Sequence, residues 1–131
     1  MIDLNNPMNI RISDVPWHNK DVPSRNDQFE TFPTAKDGLH AGILNIYNTQ
    51  KLHGCTTISQ IINRLSPPTE NDTDAYIAAV CNICGVDKDE NYDLTNPTSL
   101  LLLSEGIIKQ ENGVMPYSQD LMNEVINGIL S

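Results

Sequence analysis

Leu100–Tyr117 reads LLLLSEGIIKQENGVMPY, an apolar helical run that carries a charged tip, Lys109-Gln110-Glu111-Asn112, and stops at Gly113. Upstream, Asn96-Pro97 has the form of a helix start, with Asn as N-cap and Pro at the first helical position, where its missing N–H costs nothing. Gly113 suits a left-handed stop, and Pro116 blocks continuation. The stretch therefore predicts a largely buried helix with Glu111 in its last turn. The negative end of the helix dipole disfavours a charge there. Partial burial acts in the same sense and favours the protonated carboxyl that a general acid requires. A solvated glutamate at a helix end is the commoner arrangement, so spacing alone leaves both readings open.

Working outward, Ser118 caps a final helix whose apolar face is Leu121, Met122, Val125, Ile126, Ile129 and Leu130. Toward the N-terminus, Thr34-Ala35-Lys36-Asp37 is close to a capping box, and Leu39, Ile43, Ile46 and Tyr47 follow at helical spacing. A second helix is expected from about Thr57 to Arg64, its face made by Ile58, Ile61 and Ile62 and its end set by Pro67-Pro68. Asp72 or Thr73 then caps a third, lined by Tyr76, Ile77, Val80, Cys81 and Cys84 and closed by Gly85. Residues 86–96 form an acidic, turn-rich loop that lacks the glycine and late glutamate of a calcium loop. These readings predict a mostly α fold: a single compact domain over 1–131, with about five helices in a body at 34–131 and an irregular arm at 1–33. Within the arm, residues 28–32 are expected to form a short strand.

The chain of 131 residues is long enough to bury one core, and it carries a net charge of −9. That charge argues against nucleic-acid binding by direct phosphate contact, which needs clustered Lys and Arg. It leaves open an acidic surface docking on a basic partner, with the acids densest at 69–93. No apolar run approaches the roughly twenty residues of a membrane span, so no membrane insertion is expected. The start, MIDLNNPMNI, lacks the pattern of a secretory signal. Three cysteines make no disulfide framework, and Cys81-x-x-Cys84 has no second pair to complete a zinc site. No cofactor and no metal is implied.

No nucleophilic triad or phosphate loop occurs. What stands out besides Glu111 is the amide-rich Asn5-Asn6-Pro7-Met8-Asn9-Ile10-Arg11, which either builds turns or presents donors and acceptors to a polar ligand such as a sugar. Trp17 and Tyr117 are available as stacking platforms. An acid with amides and aromatic rings suits carbohydrate. Glycosidic cleavage usually pairs the acid with a second carboxylate, and Asp14, Asp21, Asp27 and Glu30 are the candidates in the arm.

Four segments carry a resemblance that runs nearly end to end: Asn5 to Arg11; Phe32-Pro33-Thr34-Ala35-Lys36-Asp37-Gly38; Ile61 to Thr73 with Ala75-Tyr76; and Ile107 to Gly113 with Pro116-Tyr117. On these the chain resembles a phage and prophage family of virion structural proteins. Glu111-Asn112-Gly113 followed by Pro116-Tyr117-Ser118 also resembles the Glu-Ser-Gly segment that closes the catalytic helix of lytic transglycosylases. Asn5 to Arg11 with Trp17 is similar to the Asn-rich motif of bacterial glucosaminidases. The order of the two segments is reversed here, so the resemblance implies a circularly permuted lysozyme-like domain. The chain has Met8, Leu65 and Gln110 where the pattern has Gly, Trp and His.

The resemblance implies a phage-associated protein that cleaves the glycan strand of peptidoglycan. Glu111 would be its general acid/base, with Asn5, Asn6, Asn9, Trp17 and Tyr117 positioning sugar. Location would be the virion or the host cytoplasm, with the periplasm reached by injection or lysis. The alternative is a non-catalytic virion structural or anti-host protein that binds its partner, such as another virion protein, through the acidic surface.

Overall fold

In the computed structural model, which describes residues 1–67 and 72–131, every α-helix begins on a side chain that accepts a backbone N–H. Thr34 opens α1 (Ala35–Lys51), Thr57 opens α2 (Ile58–Leu65) and Asp72 opens α3 (Thr73–Cys84). Asn96 opens α4 (Pro97–Asn112), with Pro97 at its first position, and Ser118 opens α5 (Gln119–Leu130). Such caps satisfy donors that the helix itself leaves free. Gly85 and Gly113 end α3 and α4 at φ 70° and 77°, a left-handed geometry that glycine adopts without steric cost. The mostly helical architecture, with five α-helices among the described residues, thus follows from signals written locally. Pro68, Thr69, Glu70 and Asn71, which enter the expected helix stop, the resemblance and the acidic surface, lie outside the described residues.

The helices assemble around α4, which packs against α3, α5 and α1, while α1 also meets α5 and α2. Every helix contributes to one core. Leu39, Ile43 and Ile46 come from α1, Ile58, Ile61 and Ile62 from α2, and Ile77 and Val80 from α3. The apolar run of α4 places Leu100, Leu103, Ile107 and Ile108 there, and α5 adds Met122, Val125 and Ile126. Burial of such side chains is the main source of stability in a fold of this kind. The 86–96 loop is tied in by Gln50, whose amide donates to the carbonyls of Cys55 and Tyr92 and accepts the N–H of Leu94.

The arm begins with a short 3₁₀ turn, Ile2–Leu4. The strand expected at 28–32 does not form. Arg11 and Phe29 make a single antiparallel bridge, flanked by bonds from Ile12 N to Gln28 O and from Glu30 N to Ile10 O. The pairing stops because the Asn6 amide, not a further strand residue, takes the carbonyl of Glu30. A small second cluster of Ile10, Phe32 and Ala41, with Trp17 against it, fastens the arm to α1.

Two glycines one helical turn apart on α1 allow the arm to lie close. A Cβ on Gly38 would sit 1.6 Å from the Asn5 carbonyl oxygen, and one on Gly42 would sit 2.6 Å from the Met8 sulfur. Positions four apart share a helix face, so this face of α1 is the bed on which residues 5–8 rest.

Candidate active site at the end of the fourth helix

Asn5, Asn6 and Asn9 have different fates, although they stand within five residues of each other. Asn5 and Asn9 adopt left-handed backbone conformations, each at φ 55°, which Asn tolerates better than most residues. Asn6 is fully buried. Its amide nitrogen donates to the carbonyls of Ile10 and Glu30, and its amide oxygen accepts the Ile10 N–H. Asn5 donates to the Phe32 carbonyl at 3.0 Å. These two build the turn. Asn9 is directed toward Glu111.

Glu111 is half-buried in the last turn of α4. Its carboxylate accepts from Asn9 Nδ2 at 2.9 Å through Oε2 and from the Tyr76 hydroxyl at 3.1 Å through Oε1. The Asn9 amide oxygen faces the Met1 backbone nitrogen, which fixes the orientation of the amide. Beside it, Asn112 donates to the Pro7 carbonyl at 2.7 Å and to the Ile108 carbonyl at 2.9 Å, binding the arm to the end of α4. The Tyr76 hydroxyl is held well above the ordinary tyrosine range, first by burial and then by the charge of Glu111 and its hydrogen bond. It therefore remains a donor to the carboxylate at any ordinary pH.

These groups line a cavity of about 430 Å³, whose walls include Met8, Asn9, Arg11, Asn45, Leu65, Tyr76 and Glu111. That volume lies in the range of small-ligand sites. Among the described residues that line the cavity, Glu111 is the one carboxylate. Each carboxylate oxygen has lone-pair capacity beyond the single bond it accepts, so the group can meet a ligand while held from two sides.

The other sequence candidates lie elsewhere. Asp21 accepts from the Thr31 hydroxyl and the Arg25 guanidinium, and Glu30 is buried against Lys20 at 2.9 Å. Neither these two nor Asp14 and Asp27 line the Glu111 cavity. Trp17 packs on the Ile10–Phe32 cluster and Tyr117 on the main core, and neither enters the cavity. The structure thus joins Asn9 to Glu111 and assigns Asn5 and Asn6 to the backbone that carries them.

Tyr76 and Asn45 escaped the sequence reading as site residues. Tyr76 was legible in principle: it stands on an otherwise apolar face, and a buried hydroxyl there needs a partner. No family model matches the chain. The chain is 35% identical over 121 residues to "Protein P5" of Pseudoalteromonas phage PM2, in an alignment covering 88% of this chain and 72% of that protein.

Proposed function

The chain belongs to the family of this phage protein, and on that premise we propose that it is a virion-associated protein that cleaves the glycan strand of peptidoglycan, with Glu111 as general acid/base. The observation that supports this most is Glu111, the one carboxylate among the described residues that line the cavity, oriented by Tyr76 and Asn9. Hydrolysis of a glycoside ordinarily uses two carboxyl groups, one for the leaving oxygen and one for water or the sugar carbon. One carboxyl suffices when the sugar's own hydroxyl is the nucleophile, and that reaction is the lytic transglycosylase type.

In this scheme protonated Glu111 gives its proton to the glycosidic oxygen as the bond from that oxygen to the sugar carbon breaks. The resulting carboxylate then takes the proton of the 6-hydroxyl of the same sugar as its oxygen bonds to that carbon, leaving an anhydro ring. Protons balance, and the acid is restored for the next turn. Asn9 and Tyr76 both donate to the carboxylate, so they keep it in place between the two transfers. In this reading the strand enters the cavity bordered by the arm, α1, α3 and the end of α4.

The test is clearing of purified cell-wall sacculi by the wild type beside Glu111→Gln, both checked for folding by circular dichroism. Clearing by the wild type alone is expected. If neither protein clears the wall, the enzymatic reading falls. The exposed carboxylates Asp74, Asp87, Asp89 and Glu90, none in an ion pair among the described residues, would then carry the remaining reading, a surface for a basic partner.

A further inference from the structure

Arg64 and His53 line a small hollow of about 200 Å³, whose other walls are Asn45, Asn48, Thr49 and Leu65. Its place follows from the sequence. Asn45, Asn48 and Thr49 stand three and four residues apart on α1 and so share one helix face. Arg64 is in the last turn of α2, which packs against α1. His53 follows the end of α1 beside Gly54, whose φ of 70° lets the chain turn there.

The charge in this hollow runs against the rest of the chain. Eight Lys and Arg and three His stand against seventeen acids, yet two of those few basic groups meet here. Other cavities hold a carboxylate beside their basic group: Glu111 at the end of α4, Asp87 beyond α3 and Glu30 in the arm. Among the described residues that line this one there is none. The side chains of Asn48, His53 and Arg64 also make no hydrogen bond or ion pair among the described residues. Open carbonyls at a helix end would repel an anion. Here those of Asn48, Thr49 and Gln50 accept the N–H groups of Leu52, Cys55 and Gly54, and that of Ile62 accepts the Ser66 N–H. Donors are what the hollow offers.

We infer that this hollow binds one phosphoryl group, with Arg64 in bidentate contact, His53 giving a ring N–H and Asn48 an amide N–H. Size favours a single group: about 200 Å³ is below the roughly 300–1,000 Å³ of sites for drug-sized ligands. A carboxylate has two oxygens in one plane. The donors here stand on α1, on α2 and in the loop after α1, an arrangement suited to the several oxygens of a tetrahedral anion. The site is separate from the glycan-cleaving reading and does not depend on it. One phosphoryl site is also no track for nucleic acid, which needs clustered Lys and Arg.

The probe is inorganic phosphate, titrated into the nitrogen-15-labelled protein at constant ionic strength and followed by NMR. Saturable shifts are expected at the Asn48 side-chain amide, His53 and Arg64. Arg64→Gln should weaken binding about tenfold, the scale of one charge-assisted contact, and Arg64→Lys should restore part of the loss. Arg11→Gln, in the Glu111 cavity, should leave it unchanged. Glycerol 3-phosphate tells the two sources of the group apart. Binding as tight as that of phosphate supports a phosphate borne on a larger molecule, and binding of phosphate alone supports the free ion. Shifts that never saturate, an equal response to acetate, or affinity untouched by Arg64→Gln in a variant that folds by circular dichroism overturns the inference. The glycan reading stands or falls separately, on clearing of sacculi.

Discussion

Asn9 Nδ2 lies 2.9 Å from Glu111 Oε2, a hydrogen bond that spans 102 residues of sequence and joins the N-terminal arm to the end of the fourth helix. The arm is thereby part of the site. Its amide supplies one of the two donors that hold the carboxylate, and Tyr76 on α3 supplies the other.

Removing the second donor tests how far the carboxylate depends on being held. Tyr76→Phe keeps the ring in the core and deletes only the hydroxyl. Hydrogen bonds to charged acceptors contribute more than neutral ones, so a stability loss of about 1–2 kcal/mol in urea titration is expected. Glycan cleavage should fall further than stability does, because the carboxylate would lose its orientation.

The arm's attachment rests on Asn112 as well. Asn112→Ala deletes the bonds to the Pro7 and Ile108 carbonyls. About 1 kcal/mol should be lost, and the loss should be local. Hydrogen exchange is expected to rise in residues 5–12 while the cores of α3 and α4 keep their protection.

Gly38 and Gly42 give a steric test with outcomes of different size at two neighbouring sites. At Gly38 an added methyl meets the Asn5 backbone oxygen, which cannot yield without moving the turn. Gly38→Ala should therefore cost about 3 kcal/mol or more. At Gly42 the obstacle is the flexible end of Met8, so Gly42→Ala should cost about 1 kcal/mol and be relieved by Met8→Ala. Denaturant midpoints of the two single variants and the double variant measure that coupling.

The helices were legible because their signals are local. Asn96-Pro97 and Gly113 delimit α4 with no help from the rest of the chain, and each cap lies within three residues of the N–H it binds. The position of Glu111 in a last turn was equally readable. Its partners were not, because Tyr76 and Asn9 reach it only after α3, α4 and the arm have packed. Amide density in Asn5 to Arg11 announced a special loop, but only burial separates Asn6, which serves the backbone, from Asn9, which serves the carboxylate. Trp17 and Tyr117 show the opposite limit: an aromatic ring suited to stacking on sugar is equally suited to a core.

A pH effect should appear where the arm meets the start of α1. The His40 imidazole is depressed below its ordinary value of 6.5, first by burial and then by the nearby His18, whose ring lies 6.0 Å away, with Asp37 opposing. A depressed folded-state value means that the unfolded chain takes up the proton first. The contribution of neutral His40 is therefore present above 6.5 and is lost as pH falls from there through the folded value. Stability measured across about pH 7 to 5 should decline, and His40→Asn should flatten that decline.

In the proposed reaction one carboxylate, Glu111, cuts the glycan strand with the sugar's own hydroxyl as nucleophile. The direct measurement is digestion of purified glycan strands in heavy-oxygen water, followed by mass analysis of the new ends. Anhydro ends that carry no label are expected, released by the wild type and absent with Glu111→Gln. Labelled reducing ends would contradict the proposed reaction, because water would then have attacked and a second group would be needed to activate it. Intact strands after exposure to folded wild-type protein would contradict the assignment of catalysis to this cavity altogether.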